Sequence, residues 1–455
     1  MSGVVYRMNR FKIRSVSLLS FLCLILIIST VFCQMKVKAH TISDEHFRND
    51  INDYPFTADG IVLMDAKTGK VLFSKNEQQT FYPASITKII TALIALESQD
   101  MQDVVTTSEI ARHVEGSRIY LAEGEKKPLK DLLYGIMLNS GNDAAIAIAE
   151  HIGGSVEHFA EMMNEKAKEW GATDTHFVNP NGLHDDAHYT TALDMALIAQ
   201  EALKNPQFRQ IVQTKELPWH GEDWQSKLIN TNKLLWEYAG MTGIKTGYTS
   251  EARQTFVGSA QRGDTELIVV LLKADTRDQL WSEAQALLDY GFANYETVKV
   301  KSAGDPVPVL FHGEEYAAEL KDDLYVTLEK NAQPEWEERI QTVQLTPYHP
   351  SLPKGSKIGE FILHEDGEPI GQADLVLSQS VSYVFSDAYI ERVKADGLEQ
   401  GSFVQLAKNF WLAPLVLVVF FAVLRVRRNI KAKRSVRRHI ARRYSKWGSN
   451  HWPPA

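Results

Sequence analysis

Cysteine is almost missing from this 455-residue sequence: there are two, Cys23 and Cys33, both in or beside an N-terminal apolar run. If that run is removed or sits in lipid, the folded part has no disulfide, no thiol nucleophile and no thiolate metal site. No GxxxxGK(S/T) or GxGxxG stretch occurs, so nucleotide chemistry has no support. There is no internal repeat, and only the C-terminal tail is compositionally biased. With 44% apolar and 23% charged residues the chain is neither fibrous nor disordered in composition. Acid is absent from both ends: the first 39 residues carry six Lys or Arg, and residues 425–455 carry eleven. The 57 acidic residues therefore lie between the ends against 32 basic ones, a net −25 hidden inside an overall −8. Such a body repels phosphate backbones, and no nucleic acid is expected as its partner.

What is present begins with the ends. Arg7, Arg10, Lys12 and Arg14 precede an unbroken apolar run from Val16 to Phe32, the charged and apolar regions of an export signal. Val37-Lys38-Ala39 offers small residues for cleavage after Ala39, so residues 1–39 read as a signal peptide, or as an uncleaved anchor. At the other end an apolar run over residues 410–424 is followed at once by Arg425, Arg427 and Arg428. Fifteen residues at ~1.5 Å each span ~22 Å, so a membrane helix here borrows from the 394–409 linker, with Lys408 snorkelling. Both faces of the run are apolar, which favours a spanning helix over an interfacial one. Positive charge marks the cytoplasmic side. The expectation is a cell-membrane protein with a single C-terminal anchor, an extracellular catalytic part and a basic cytoplasmic tail over residues 425–455.

Between the ends, ~150 residues per domain allows two or three domains. Residues 59–76 read as a hairpin, with Ile61 to Met64 and Val71 to Phe73 either side of Asp65-Ala66-Lys67-Thr68-Gly69. A helical stretch follows: Ile86, Ile89, Ile90 and Leu93 mark a helix buried on all sides, and Leu129 to Met137 and Ala144 to Ile152 continue it. From Gly243 the texture turns to strands, Ile244–Thr249, Thr255–Ala260 and Leu267–Leu272. That order suits an α+β domain over residues 45–293, a sheet joining the N-terminal hairpin to a C-terminal meander with helices on its faces. Val298 to Val300, Leu324 to Leu328, Val343 to Leu345 and a Glu365-Asp366-Gly367-Glu368 turn then predict a small β-sandwich over 296–393.

Three short motifs occur in order: Ser85-Ile86-Thr87-Lys88, Ser140-Gly141-Asn142 and Lys245-Thr246-Gly247. Each alone is weak, but each sits where chemistry requires it. Ser85 is expected in the first turn of the apolar helix, at the positive end of its dipole, with Lys88 on the same face three residues on. An amine held among apolar groups and near another cation loses its proton more easily, so Lys88 can take the proton of Ser85. Ser140, in a loop after an apolar helix, is placed to relay a proton to a leaving amine, and Asn142 to bond a substrate amide. Strand alternation sends Lys245 and Gly247 to one face and Thr246 to the other, unless the strand is an edge twisted towards a cleft. Gly247 suits a substrate backbone lying along that edge.

The motifs resemble those of the penicillin-binding serine DD-peptidases and serine β-lactamases. The longer context, Tyr82-Pro83-Ala84-Ser85, Asn139-Ser140-Gly141-Asn142-Asp143, Thr175 to Leu183 and Gly243 to Thr249, is similar to the low-molecular-mass D-alanyl-D-alanine carboxypeptidases. The resemblance implies a DD-peptidase/β-lactamase-like antiparallel sheet flanked by helices, with no metal and no cofactor. It implies Ser85 as acylated nucleophile, Lys88 as its base and Ser140 with Asn142 as second element. Lys245 would hold the substrate and Thr246 its terminal carboxylate, beside Gly247. The N–H groups of Ser85 and Tyr248 would form the oxyanion hole, and Arg277 is the nearest candidate for a basic residue assisting with the carboxylate. Arg253 departs from the pattern, standing where the family usually has Gly. The implied substrate is the peptidoglycan stem peptide, and the implied inhibitors are β-lactams.

Alternatives are a serine β-lactamase, for which Glu201 and Asn205 have a deacylating pair's spacing but fall in or beside a helical run, and a penicillin-binding sensor with little turnover. His184-Asp185-Asp186-Ala187-His188 resembles metal-ligand spacing but follows a loop signal, Asn181-Gly182.

Overall fold

Asp65 ends the first strand and shapes the turn after it, its Oδ1 accepting from the N–H groups of Lys67 (2.8 Å) and Thr68 (3.1 Å). The expected hairpin forms, β1 (Gly60–Asp65) against β2 (Val71–Lys75). The structure is a computed structural model that describes residues 51–311, 314–332, 334–343 and 351–382. The N-terminal apolar run, the linker, the expected anchor and the basic tail lie outside the described residues. Among the described residues no helix is long and apolar enough to cross a membrane.

The three later strands, β3 (Met241–Thr249), β4 (Arg253–Arg262) and β5 (Thr265–Ala274), join the hairpin in one antiparallel sheet of order β2-β1-β5-β4-β3. Successive side chains of β1 go to opposite cores. Val62 and Met64 meet the helices α1 (Lys88–Ser98), α2 (Leu129–Leu138), α3 (Asn142–Gly153) and α4 (Ala192–Lys204) on one face. Ile61 and Leu63 meet Leu280, Ala284, Leu287 and Leu288 of α5 (Arg277–Asn294) on the other. Covering both faces makes β5 read as a continuous apolar run, and each fully buried aliphatic side chain there contributes about 1.5–3 kcal/mol. β3 lies at the sheet edge, which leaves one side of the third motif unpaired within the sheet.

The described chain divides into two compact units. The first holds everything above and continues through 295–309, 317–343 and 355–378, residue 333 excepted. In it Tyr295–Lys301 pairs with Leu324–Glu329, while Lys357–Glu365 pairs with both Glu368–Leu377 and Glu337–Thr342. The two sheets touch where a Cβ on Gly371 would lie 3.0 Å from the Val326 side chain. Asp366 and Gly367 both take positive φ, the requirement of the two-residue turn expected there. A strand runs over Glu337–Thr342, and Gln344 and Leu345 of the strand expected at Val343 to Leu345 lie outside the described residues. The second unit contains, among described residues, the antiparallel pair Ser351–Leu352 with Val381–Ser382.

Candidate active site

Ala84 takes the left-handed region, φ 52°, and a single 3₁₀ turn, Ala84–Thr87, leads into α1. Ser85 therefore precedes the α-helix, which starts at Lys88, instead of occupying its first turn. Packing explains the difference. A Cβ on Gly182 would fall 1.8 Å from the Ala84 carbonyl oxygen, so the 179–183 loop and the nucleophile turn meet backbone to backbone. From the sheet, Thr255 Oγ1 donates to the Pro83 carbonyl at 2.8 Å, and a Cβ on Gly247 would lie 2.8 Å from the Ser85 nitrogen.

Lys88 is fully buried. Its Nζ lies 3.0 Å from Ser85 Oγ and donates to Asn142 Oδ1 at 2.8 Å and to the Asn181 carbonyl at 2.5 Å. Burial pushes its pKa well below the ordinary lysine value, the Lys245 charge pushes the same way, and Asp143 opposes both. Lys245 is itself buried, which lowers it to about 7, and its Nζ donates to the Thr246 carbonyl at 2.9 Å. Two amines from distant parts of the sequence are thus both buried, and the Lys245 charge disfavours the proton of Lys88.

The second motif is held from behind. Ser140 sits at φ 61°, nearly buried, and its hydroxyl has no hydrogen-bond partner among the described residues. The Asn142 N–H donates to the Ser117 carbonyl at 2.7 Å, and its Nδ2 to the Glu115 carbonyl at 2.7 Å. Asn142 Oδ1 thus holds the base, while one Nδ2 proton holds the Glu115 carbonyl. Asp143, fully buried, accepts from the N–H groups of Ile119 and Leu121 at 3.1 Å and pins the 117–121 loop; burial outweighs these bonds and raises its pKa.

Along β3 burial does not alternate strictly: Gly243, Ile244, Lys245 and Gly247 are buried, Thr246 is half-buried, and the Thr246 and Thr231 hydroxyls bond each other at 2.7 Å. The space a Gly247 side chain would fill is already taken by Thr255 Oγ1 and the Ser85 nitrogen, so the sheet-to-nucleophile contact by itself requires glycine. Tyr248, next along, is 60% exposed.

Arg277 does not join this cluster. It opens α5, whose Leu280 and Trp281 pack on the sheet face opposite α1, and it is exposed with no hydrogen bond or ion pair among the described residues. Arg253 keeps the backbone a glycine would take, φ 54°, with its exposed side chain paired to Asp275, while the neighbouring Ala252 is buried. Its departure from the family pattern therefore leaves the strand path unaltered. Glu201 bonds Lys204 on the flank of α4, and Asn205 Oδ1 caps the next helix through the Gln207 and Phe208 N–H groups. Neither reaches Ser85 by any contact. His184 pairs with Asp186 near the surface while His188 is buried against Thr87, and no three His, Cys, Asp or Glu among the described residues could hold a metal.

Sequence reasoning overlooked the Asn181 carbonyl, His188 and Asp143. A backbone acceptor leaves no trace in residue type; the only signal was the run Asn179-Pro180-Asn181-Gly182, in which Asn179 Oδ1 accepts from the Gly182 N–H at 2.7 Å.

Set beside known proteins, residues 48–276 match the family described as D-alanyl-D-alanine carboxypeptidase, and residues 295–383 match the penicillin-binding protein 5 C-terminal domain. The chain is 34% identical over 367 residues to D-alanyl-D-alanine carboxypeptidase DacF of Bacillus subtilis, covering 74% of this chain and 90% of that one. It is 32% identical over 360 residues to D-alanyl-D-alanine carboxypeptidase DacA of Haemophilus influenzae, covering 76% and 90%. Among solved structures, penicillin binding protein 5 from Haemophilus influenzae superposes with a TM-score of 0.61 at 31% identity, covering 73% of this chain and 99% of that one. A half-buried Ser85 bonded to a buried Lys88 beside an edge strand, matched family residues over half the chain and a matching β region after it together make this chain a member of the D-alanyl-D-alanine carboxypeptidase family.

Proposed function

We infer that the protein is a serine D-alanyl-D-alanine carboxypeptidase acting on peptidoglycan stem peptides through an acyl-enzyme on Ser85. The observation that carries this is the set of acceptors around Lys88. A neutral amine has two N–H bonds and one lone pair. Asn142 Oδ1 and the Asn181 carbonyl can only accept, so they take the two N–H bonds and the lone pair is left facing the Ser85 hydroxyl at 3.0 Å. Burial beside a second cation keeps that amine neutral far below the usual lysine pKa.

Ser85 Oγ attacks the carbonyl between the last two D-alanines while Lys88 accepts its proton. The Ser85 and Tyr248 N–H groups receive the oxyanion, the Gly247 contact keeping β3 against the nucleophile. Ser140, with its free hydroxyl, passes the proton to the departing D-alanine, and Lys245 with Thr246 receives the terminal carboxylate. Water then attacks the ester and regenerates Ser85. A β-lactam presents a similar acyl group and carboxylate and acylates the same serine. Ser85→Ala is expected to abolish both labelling by a fluorescent penicillin and release of D-alanine from a pentapeptide; labelling that persists undiminished would refute the assignment.

The basic-flanked apolar runs support export through residues 1–39 and a C-terminal anchor over 410–424, with the catalytic part outside the cell. Deleting residues 410–455 is expected to move the protein from membrane pellet to soluble fraction; retention in the pellet would overturn the anchor.

A further inference from the structure

His188 is a titratable group that the mechanism above does not use, and it is fully enclosed next to the nucleophile element. The Val178 N–H donates to His188 Nδ1 at 3.1 Å, so Nδ1 carries no proton. The neutral ring must then carry its proton on Nε2, which lies 2.8 Å from Thr87 Oγ1. Thr87 stands between Ser85 and Lys88, and Val178 begins the loop that delivers Asn181. One imidazole therefore bonds the nucleophile turn on one side and the 178–183 loop on the other. A second tie runs parallel to it, from Thr91 Oγ1 on α1 to the Pro180 carbonyl at 2.7 Å. Phe177 packs against the ring with centroids 5.4 Å apart.

We propose that His188 is a positioning residue for acylation, a neutral strut that holds the Asn181 carbonyl on Lys88 Nζ and thereby aims the amine lone pair at Ser85. The inference rests on Ser85 and Lys88 being the acylating pair. The ring stays uncharged because burial disfavours its protonation; Lys88, His176 and His184 act in the same sense, and Asp185 opposes them. The groups bearing on Lys88 are Lys245, Asp143, its three acceptors and His188 itself.

Releasing the loop has two consequences. The lone pair is no longer confined to one direction, and misplacement of a reacting group on the order of 1 Å costs about a hundredfold, so a partial loss of about tenfold in acylation is expected. The ammonium form loses an acceptor, and because hydrogen bonds to the charged form favour it, the Lys88 pKa falls further. The acid limb of the acylation rate then moves to lower pH even as the plateau drops.

The test measures the second-order rate of acylation by a fluorescent penicillin against pH, together with Tm. His188→Phe keeps an aromatic ring and removes both nitrogens; it is expected to lower the plateau about tenfold and shift the acid limb downward. His188→Gln, which offers one acceptor and one donor, is expected to restore both towards the native profile. Should His188→Phe not fold, Thr87→Val cuts the same link and is expected to give the same pair of changes. Folded variants with native plateau and limb, or with a lowered Tm and an unmoved limb, overturn the strut. A native protein that takes no penicillin overturns the reading of Ser85 instead, so the two failures are distinct.

Discussion

Gly247→Ala places one methyl group where the sheet meets the nucleophile. The added Cβ would sit 2.4 Å from Thr255 Oγ1, 2.8 Å from the Ser85 nitrogen and 3.1 Å from Ala84 Cβ. Two of these three atoms belong to the nucleophile turn, so β3 must retreat from Ser85 by several tenths of an ångström, and β3 also carries Tyr248. Overpacking of this kind costs about 1–3 kcal/mol of stability, a Tm loss of about 2–4 °C per kcal/mol in a domain of this size. The effect on rate should be larger. If the retreat removes one oxyanion donor, acylation falls by about 10²–10³-fold, equivalent to about 2.7–4 kcal/mol. Stopped-flow acylation by a fluorescent penicillin and thermal unfolding give the two numbers. Adding Thr255→Ala relieves the 2.4 Å contact but not the 2.8 Å one and gives up the Thr255 bond to the Pro83 carbonyl, so the double variant should regain none of its rate. As a control, Gly258→Ala crowds Phe256 at 2.5 Å within β4, away from Ser85, and should lower Tm without the same loss of rate. Acylation of Gly247→Ala at the native rate would refute the claim that glycine is there to seat the oxyanion donors.

Two further perturbations follow from the same geometry. Lys245 falls to about 7 when folded, whereas an unfolded lysine titrates near 10.5. Between those values the unfolded chain binds a proton that the native state does not, so stability rises with pH across that window and is lost as pH falls through about 7. Urea midpoints at pH 7 and pH 10 should show the rise in native protein and a flatter profile in Lys245→Met; equal slopes in both would count against a buried amine. Arg253→Gly relieves a left-handed backbone and gives up an exposed ion pair to Asp275. Relief of about 0.5–1 kcal/mol against a pair worth about 0–1 kcal/mol leaves Tm nearly unchanged, and penicillin acylation should stay native; a large fall in acylation would show that Arg253 contributes more than strand geometry.

The elements of the fold were legible wherever one rule dominated. The hairpin at Gly60–Lys75 follows from two short apolar runs about a turn held by Asp65 and Gly69, and the enclosed α1 from Ile89, Ile90 and Leu93 with no charged residue between Lys88 and Glu97. Boundaries failed where tertiary contact overrides local preference. No propensity predicts left-handed Ala84, because what holds it there is Gly182 pressed on its carbonyl, ninety-eight residues away in sequence. The same limit explains Asn142. Its residue type advertises a polar amide, yet which partners hold it, Lys88 on Oδ1 and the Glu115 carbonyl on one Nδ2 proton, is decided only by the packing of α1 against α3. Arg277 shows a further limit: sequence distance from the third motif says nothing of its partners, and in the fold it opens α5, exposed, above the buried Leu280 and Trp281. Motifs thus name the atoms that react, because reactivity belongs to residue type. The acceptors that aim those atoms are carbonyls and turns, and since any residue can supply a carbonyl, the direction of the Lys88 lone pair is a property of the fold alone.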